Sequence, residues 1–103
     1  MESSDKSYHP LVSVVMATFN ESVKFITSAI NSILHQTYSN LELLICDDST
    51  DAKTIGAIDS LASSDARIKV IRKHDRMGFV TALNEGLENA KGELIARMDG
   101  DDI

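Results

Sequence analysis

Three short segments carry the residues with chemistry to offer: Asp99-Gly100-Asp101-Asp102, Asp47-Asp48-Ser49-Thr50-Asp51 and Thr18-Phe19-Asn20-Glu21. In an extended segment Asp99 and Asp101 project to the same side, because side chains alternate with a period of two. Two hard oxygen donors flanking a glycine that admits a ligand to the backbone suit Mg²⁺ or Mn²⁺ shared with a diphosphate. A divalent cation also reverses the repulsion that a carboxylate-rich rim exerts on a bare phosphate. The same residues equally make a plain polar turn. In the second segment Asp, Ser and Thr are ordinary helix caps. A cap needs only one of them, which leaves a carboxylate of the Asp47-Asp48 pair to accept from a ligand N–H such as the imide of uracil. Cys46 ends an apolar run and reads as a small buried filler. His9, His35 and His74 lack zinc-site spacing, and there is no glycine-rich phosphate loop.

Residues 11–17 are short, β-branched and almost wholly apolar, as in a strand covered on both faces of a parallel sheet. Ile26, Ala29, Ile30, Ile33 and Leu34 then recur at helical spacing. Residues 41–46 form a second apolar run, ending at the first acidic cluster. Asp51 or Thr50 caps a helix with the stripe Ile55, Ile58, Leu61 and Ala62. Residues 67–72 alternate as a strand with one covered face. A third helix follows Gly78, with Val80, Leu83, Leu87 and Ala90 on its apolar side and Lys91-Gly92 closing it. Residues 93–98 make the fourth strand, and the second acidic cluster follows at once. The order β-α-β-α-β-α-β predicts an α/β fold of Rossmann-like three-layer type, with a mainly parallel four-stranded sheet and right-handed crossovers. Such sheets bind ligands beyond the carboxyl ends of their strands, where the strand order reverses. All three segments fall at such ends. Residues 1–10 are polar, end in Pro10 and read as a flexible N-terminal arm, leaving 11–103 as one domain.

Composition agrees with a globular chain of 103 residues: 43% hydrophobic and 25% charged. No apolar run reaches the ~18 residues of a membrane span, and no export signal opens the chain, so a cytoplasmic location is expected. One cysteine leaves no disulfide framework. The net charge of −6 speaks against a nucleic-acid backbone as partner. The six aspartates of the two clusters equal that whole excess, so the rest of the surface is balanced.

Residues 11–21 resemble the opening strand of family 2 glycosyltransferases, which have the GT-A fold. Asp47-Asp48-Ser49-Thr50-Asp51 is similar to that family's second-strand motif, commonly Asp-Asp-Gly-Ser-Thr-Asp, with one residue fewer. Residues 78–86 are similar to its third-helix signature, and residues 96–102 to its metal motif, usually called DXD. The resemblance implies a nucleotide-sugar donor, a UDP-sugar by preference. Ala17, Phe19 and Glu21 would line the base and ribose pocket, and Asp48 would accept from the nucleobase. Asp99 would approach the ribose or metal, and Asp101, with Asp102 as second candidate, would hold the Mn²⁺ or Mg²⁺ that bridges the diphosphate. It further implies inverting transfer to a glycan or lipid-linked acceptor in polysaccharide or lipopolysaccharide synthesis, at the inner face of the membrane in full-length relatives. The acceptor half and the general base would lie downstream of Ile103. This chain has Ala17 where the family often has Pro, Phe19 for Tyr and Leu83 for Arg, so a phosphate contact from position 83 is not carried over. Two other readings remain at this point: a non-catalytic binding or interaction module with the same fold, and a receiver-like domain. The receiver lacks its acidic pair, since Thr18-Phe19-Asn20-Glu21 follows the first strand.

Overall fold

β-Branched and long apolar side chains fill the first two strands, and each strand hands its chain directly to a capped helix. The computed structural model describes residues 9–73 and 75–99, with Asp99 described through its backbone alone. The elements are β1 (Val12–Thr18), α1 (Val23–Leu34), β2 (Leu41–Asp47), α2 (Ala52–Ser64), β3 (Ile68–Ile71), α3 (Gly78–Asn89) and β4 (Leu94–Asp99). The strands form one parallel sheet in the order β3-β2-β1-β4. The α/β expectation is met, with strand ends shifted by a residue from the sequence reading. The expected arm falls largely on residues 1–8, which lie outside the described residues.

The parallel ladder fixes which strand ends are neighbours: Thr18 sits opposite Asp47, and Ala17 lies between Cys46 and Asp99. The strand order reverses between β1 and β4, where a doubly wound sheet opens a crevice for ligands. One face of the sheet is covered by α1 and α2. Ile26, Ala29, Ile30 and Ile33 of α1 and Ile58 of α2 pack there on Val14, Met16, Leu41, Leu43, Ile45 and Ile68. Ser22 starts α1 by accepting from the Phe25 N–H, and Asp51 starts α2 by accepting from the Thr54 N–H. Of the two caps proposed for α2, Asp51 fills the role.

The other face carries α3 alone, and here the expected stripe is wrong. Ala82 and Gly86 are the residues of α3 that are buried, while Val80 and Leu87 are exposed. The cause is close packing: a Cβ on Gly86 would stand 2.4 Å from Val15 Cγ1 and 3.2 Å from Cys46 Sγ. Small side chains let the helix axis approach β1 and β2, and the bulky stripe is turned toward β4. Gly92 is likewise not the left-handed helix cap that Lys91-Gly92 suggested. The helix ends at Asn89, and Gly92 is needed because a Cβ there would meet Leu11 O at 2.6 Å and Ser13 N at 2.7 Å.

The amino end of the sheet is tied by buried polar groups. The Ser13 hydroxyl donates to Glu42 (2.6 Å) and accepts from the Gly92 N–H (2.7 Å), and the Lys91 N–H donates to the same Glu42 oxygen (2.7 Å). These bonds join β1, β2 and the approach to β4. Burial pushes the Glu42 carboxyl upward, but the Ser13 and Lys91 bonds, with the charges of Lys69 and Lys91, hold it below the ordinary value.

Candidate functional site

At the carboxyl ends of β1, β2 and β3 the loops are stitched to one another by side chains. Asn20, at φ +54°, is the pivot. Asparagine tolerates that left-handed conformation better than most residues. Its Oδ1 accepts from the Thr50 N–H (2.8 Å) and the Asp51 N–H (2.9 Å), and its own N–H donates to Ser49 Oγ (2.8 Å). Glu21 folds back to accept from the Phe19 N–H at 2.8 Å. The Thr54 hydroxyl closes the stitch, 2.7 Å from Glu21 O and 3.0 Å from Asp51 Oδ2.

The first acidic cluster is largely spent on this architecture. Asp47 is 0% exposed at its side chain. One of its oxygens accepts from the Thr18 hydroxyl (2.7 Å) and from Ser49 Oγ and N (2.6 and 3.1 Å), and the other accepts from Arg72 Nε (2.9 Å). A buried carboxylate with this many donors and a guanidinium is satisfied within the protein. Asp51 caps α2. The six-carboxylate rim read from the sequence is therefore neutralised over its first half, by Arg72 and by backbone N–H groups.

Asp48, the residue expected at the nucleobase, is 7% exposed at its side chain. Its Oδ1 accepts from the Met77 N–H (2.9 Å) and its Oδ2 from the Gly78 N–H (2.7 Å). It thus caps α3 from a different loop, since Met77 offers no side-chain cap of its own. Gly78, at φ +75°, supplies the left-handed turn that aims both N–H groups at the carboxylate. A carboxylate has about four lone-pair sites, so each Asp48 oxygen retains acceptor capacity beyond these bonds.

Phe19 stands at the rim, 42% exposed. The Arg76 guanidinium lies over its ring, 4.0 Å from the centroid, and its Nε is 3.7 Å from Asp48 Oδ2. Arg76 is not among the residues singled out from the sequence; the signal for it is a cation two residues before Gly78, the glycine that starts α3. A cleft of about 170 Å³ opens beside it, bordered by Asp48, Ser49, Thr50, Arg72, Lys73 and Arg76. The structure thus brings Phe19, Glu21 and Asp48 to one end of the sheet, with Ala17 in β1 below them. Ala17 packs against Cys46 and is in register with Asp99. Asp101, Asp102 and the Asp99 side chain lie outside the described residues. Among the described residues no group of three metal-type ligands occurs. Burial, and then the charges of Glu85 and Asp48, push the Cys46 thiol up to about 11, as its reading as an inert filler requires. Leu83 lines a groove with Val15 and Arg97 on the α3 side of the sheet.

A family model described as glycosyl transferase family 2 matches residues 13–103. An uncharacterized glycosyltransferase of Haemophilus influenzae is 39% identical over 94 residues, covering 91% of this chain and 29% of that protein. The Escherichia coli UDP-Glc:alpha-D-GlcNAc-diphosphoundecaprenol beta-1,3-glucosyltransferase WfgD is 41% identical over 93 residues, covering 90% of this chain and 36% of that one. Among solved structures, the mannosyltransferase PcManGT from Pyrobaculum calidifontis, in complex with GDP-Man and Mn²⁺, superposes with a TM-score of 0.79 at 28% identity. That match covers 92% of this chain and 28% of the mannosyltransferase. The chain spans about a third of the length of these relatives.

Proposed function

The chain belongs to glycosyl transferase family 2, and from that premise we propose that its strand-end rim binds the nucleoside diphosphate of a sugar donor, a UDP-sugar, for inverting transfer to a glycan or lipid-linked acceptor. The observation that carries this reading is the meeting of the Phe19 ring, the Arg76 guanidinium and the Asp48 carboxylate at one end of the sheet. A planar base finds there a π-face, a cation to stack under and an acceptor for a ring N–H. Glu21 and Ala17 continue that pocket toward the ribose. The uridine preference is supported by the donor named for the E. coli relative.

The second half of the site is the metal-bridged diphosphate. Asp99 ends β4 in register with Ala17, at the point where strand order reverses. Carboxylates following that strand, Asp101 and Asp102, are the hard oxygen donors that Mn²⁺ or Mg²⁺ favours. The mannosyltransferase neighbour is bound to GDP-Man and Mn²⁺. Bound there, the cation would neutralise charge on the leaving nucleoside diphosphate. This chain's own residues hold and orient the donor: Phe19 and Arg76 fix the base plane, and Asp48 fixes its edge. Polysaccharide or lipopolysaccharide synthesis is the setting proposed for the full-length enzyme, at the cytoplasmic face of the membrane. No helix among the described residues is long and apolar enough to cross a membrane.

Calorimetric titration with UDP, GDP and CDP, with and without Mn²⁺, tests the reading. UDP binding should require the metal and exceed that of the other two. Asp101→Ala and Asp48→Ala should each weaken it about tenfold or more, the usual cost of losing a charge-assisted contact. Asp48→Ala also removes the cap of α3, so circular dichroism must show it folded. Metal-independent binding that ignores both substitutions would overturn the assignment.

A further inference from the structure

Ile71, the last residue of β3, is in register with Cys46, so the next residue on each strand, Arg72 and Asp47, lie side by side. Asp47 gives its two oxygens different tasks. Oδ1 holds the turn after β2, accepting from the Thr18 hydroxyl, the Ser49 N–H and the Ser49 hydroxyl. Oδ2 accepts from Arg72 Nε at 2.9 Å. The Asp47 side chain is 0% exposed, so solvent does not replace Arg72 there, and an oxygen left without a donor is costly. Arg72 is held in turn from outside, where its Nη1 donates to Asp59 Oδ1 of α2 at 2.8 Å. A guanidinium serves two carboxylates from one rigid plane, which the single ammonium of a lysine on its flexible stem does not. Asp48 stands between Asp47 and Ser49, the two residues so fixed. Its N–H donates to Thr18 O at 3.0 Å, and its carboxylate reaches across to the Met77 and Gly78 N–H groups. Arg72 borders the cleft beside Asp48, whereas Asp59 is half-exposed on α2 and does not.

We propose that Arg72, held by Asp59, is a positioning residue for the sugar donor: through Asp47 it fixes the angle at which Asp48 meets the edge of the base. The inference rests on the nucleotide reading of the rim and adds to it a residue of α2 that does not reach the base. Two ion pairs run as one chain, from α2 through the end of β3 to the end of β2, and the chain stops one residue short of the acceptor. Loosening any link frees the Asp47 carboxylate to turn, and the Asp48 backbone turns with it. An acceptor is selective only while its own support is rigid. Uracil offers an N–H at the edge where cytosine has a bare nitrogen, so an accurately aimed carboxylate favours the first.

Calorimetric titration of UDP with Mn²⁺ is paired with amide NMR of Met77 and Gly78, whose N–H groups report the Asp48 carboxylate with no donor present. Asp59→Ala removes an exposed partner and leaves the fold intact. It should nevertheless shift both amides and lower UDP affinity about two- to fivefold. Asp59→Glu keeps the charge and should stay within about twofold of the unaltered chain. Arg72→Lys keeps the cation but not the fork, and should weaken UDP about three- to tenfold. Combining Asp59→Ala with Arg72→Lys should lose no more than Arg72→Lys alone, because both break one chain. Preference for UDP over CDP should shrink in step, which a loss of stability alone would not produce. Should Arg72→Lys fail to fold, the two Asp59 variants decide. An Asp59→Ala chain with both amides and UDP affinity unmoved overturns the proposal, leaving any effect of Arg72→Lys to direct contact with the donor. Amides that move while UDP affinity and selectivity hold overturn it too, since Arg72 is then structural alone. If the unaltered chain binds no UDP with Mn²⁺, the nucleotide reading itself falls and takes the proposal with it.

Discussion

Arg76 and Phe19 stand at the rim with little else to hold them in place. Arg76 is 62% exposed at its side chain, and its ion pair with Asp48 is long, so its placement owes as much to the aromatic face beneath it as to charge. An exposed cation–π contact contributes only ~0.5–1 kcal/mol, and removing either partner should barely move the melting temperature. The same pair in the proposed base pocket has a larger effect on binding. Arg76→Ala and Phe19→Ala should each lower UDP affinity about five- to thirtyfold, from the ~1–2 kcal/mol of a stacked base, with unfolding midpoints unchanged. Calorimetry paired with thermal melts checks this; equal losses of stability and affinity would mean that the pair only supports the loop. Asp47 shows the opposite allocation. Its neighbour in sequence faces the rim, but Asp47 itself is consumed by Thr18, Ser49 and Arg72 and belongs to the scaffold.

At the scale of elements, α3 is seated by what it lacks. Gly86 allows the helix to lie against Val15 and Cys46, whereas Gly56 in α2 faces open space, with nothing within 4 Å of where a Cβ would stand. The two glycines should respond to alanine with opposite sign. Gly86→Ala forces the helix off the sheet and should cost about 1–3 kcal/mol. Gly56→Ala should add roughly 0.5–1 kcal/mol through helix propensity alone. Urea unfolding of both variants is the measurement, and a harmless Gly86→Ala would contradict the packing. This contrast also shows where sequence reading stops. Periodicity located α3 correctly but took Val80, Leu83 and Leu87 for its buried stripe, because large apolar residues normally mark the core. Nothing local reveals that a small-residue face, Ala82 and Gly86, is the one pressed against the sheet. For α1 the rule worked, since Ile26, Ala29, Ile30 and Ile33 pack against a continuous apolar face. The loops fared similarly: capping chemistry narrowed the α2 cap to Asp51 or Thr50, of which Asp51 serves, but a cap provided across the fold, as Asp48 provides for α3, has no spacing to recognise.

For the molecule as a whole, pH enters through carboxylates held below their ordinary values. Glu42 is one. Asp65 is another, at about 2, chiefly through its side-chain bond to Arg67 and then the Arg67 N–H. Unfolding releases both to ordinary values near ~4, so below that pH the unfolded chain binds more protons than the folded one. Their stabilisation is complete above the ordinary range and is lost as pH falls below it, for Asp65 toward about 2. The urea midpoint should accordingly drop through that window, and Glu42→Gln should flatten the fall; a midpoint level from neutral pH to about 2 would contradict both assignments. The overall architecture was legible because strand and helix periods alternate without interruption, and the rim because chemistry clusters at strand ends. The balance of charge at that rim was not, because Arg72 and Arg76 reach Asp47 and Asp48 only after β3 is laid beside β2.

The strand order has a further consequence for how the protein comes into being. β1 is the first of the four strands to leave the ribosome and ends between two neighbours, yet the second of those neighbours is the last strand of the set. While residues 12–71 emerge, β1, β2 and β3 can pair in turn and bury their shared face under α1 and α2. The other flank of β1 has no β4 to pair with until residues 94–99 have been made. Translation therefore delivers a three-stranded scaffold first, and the register between Ala17 and Asp99 becomes available only with the final residues of β4.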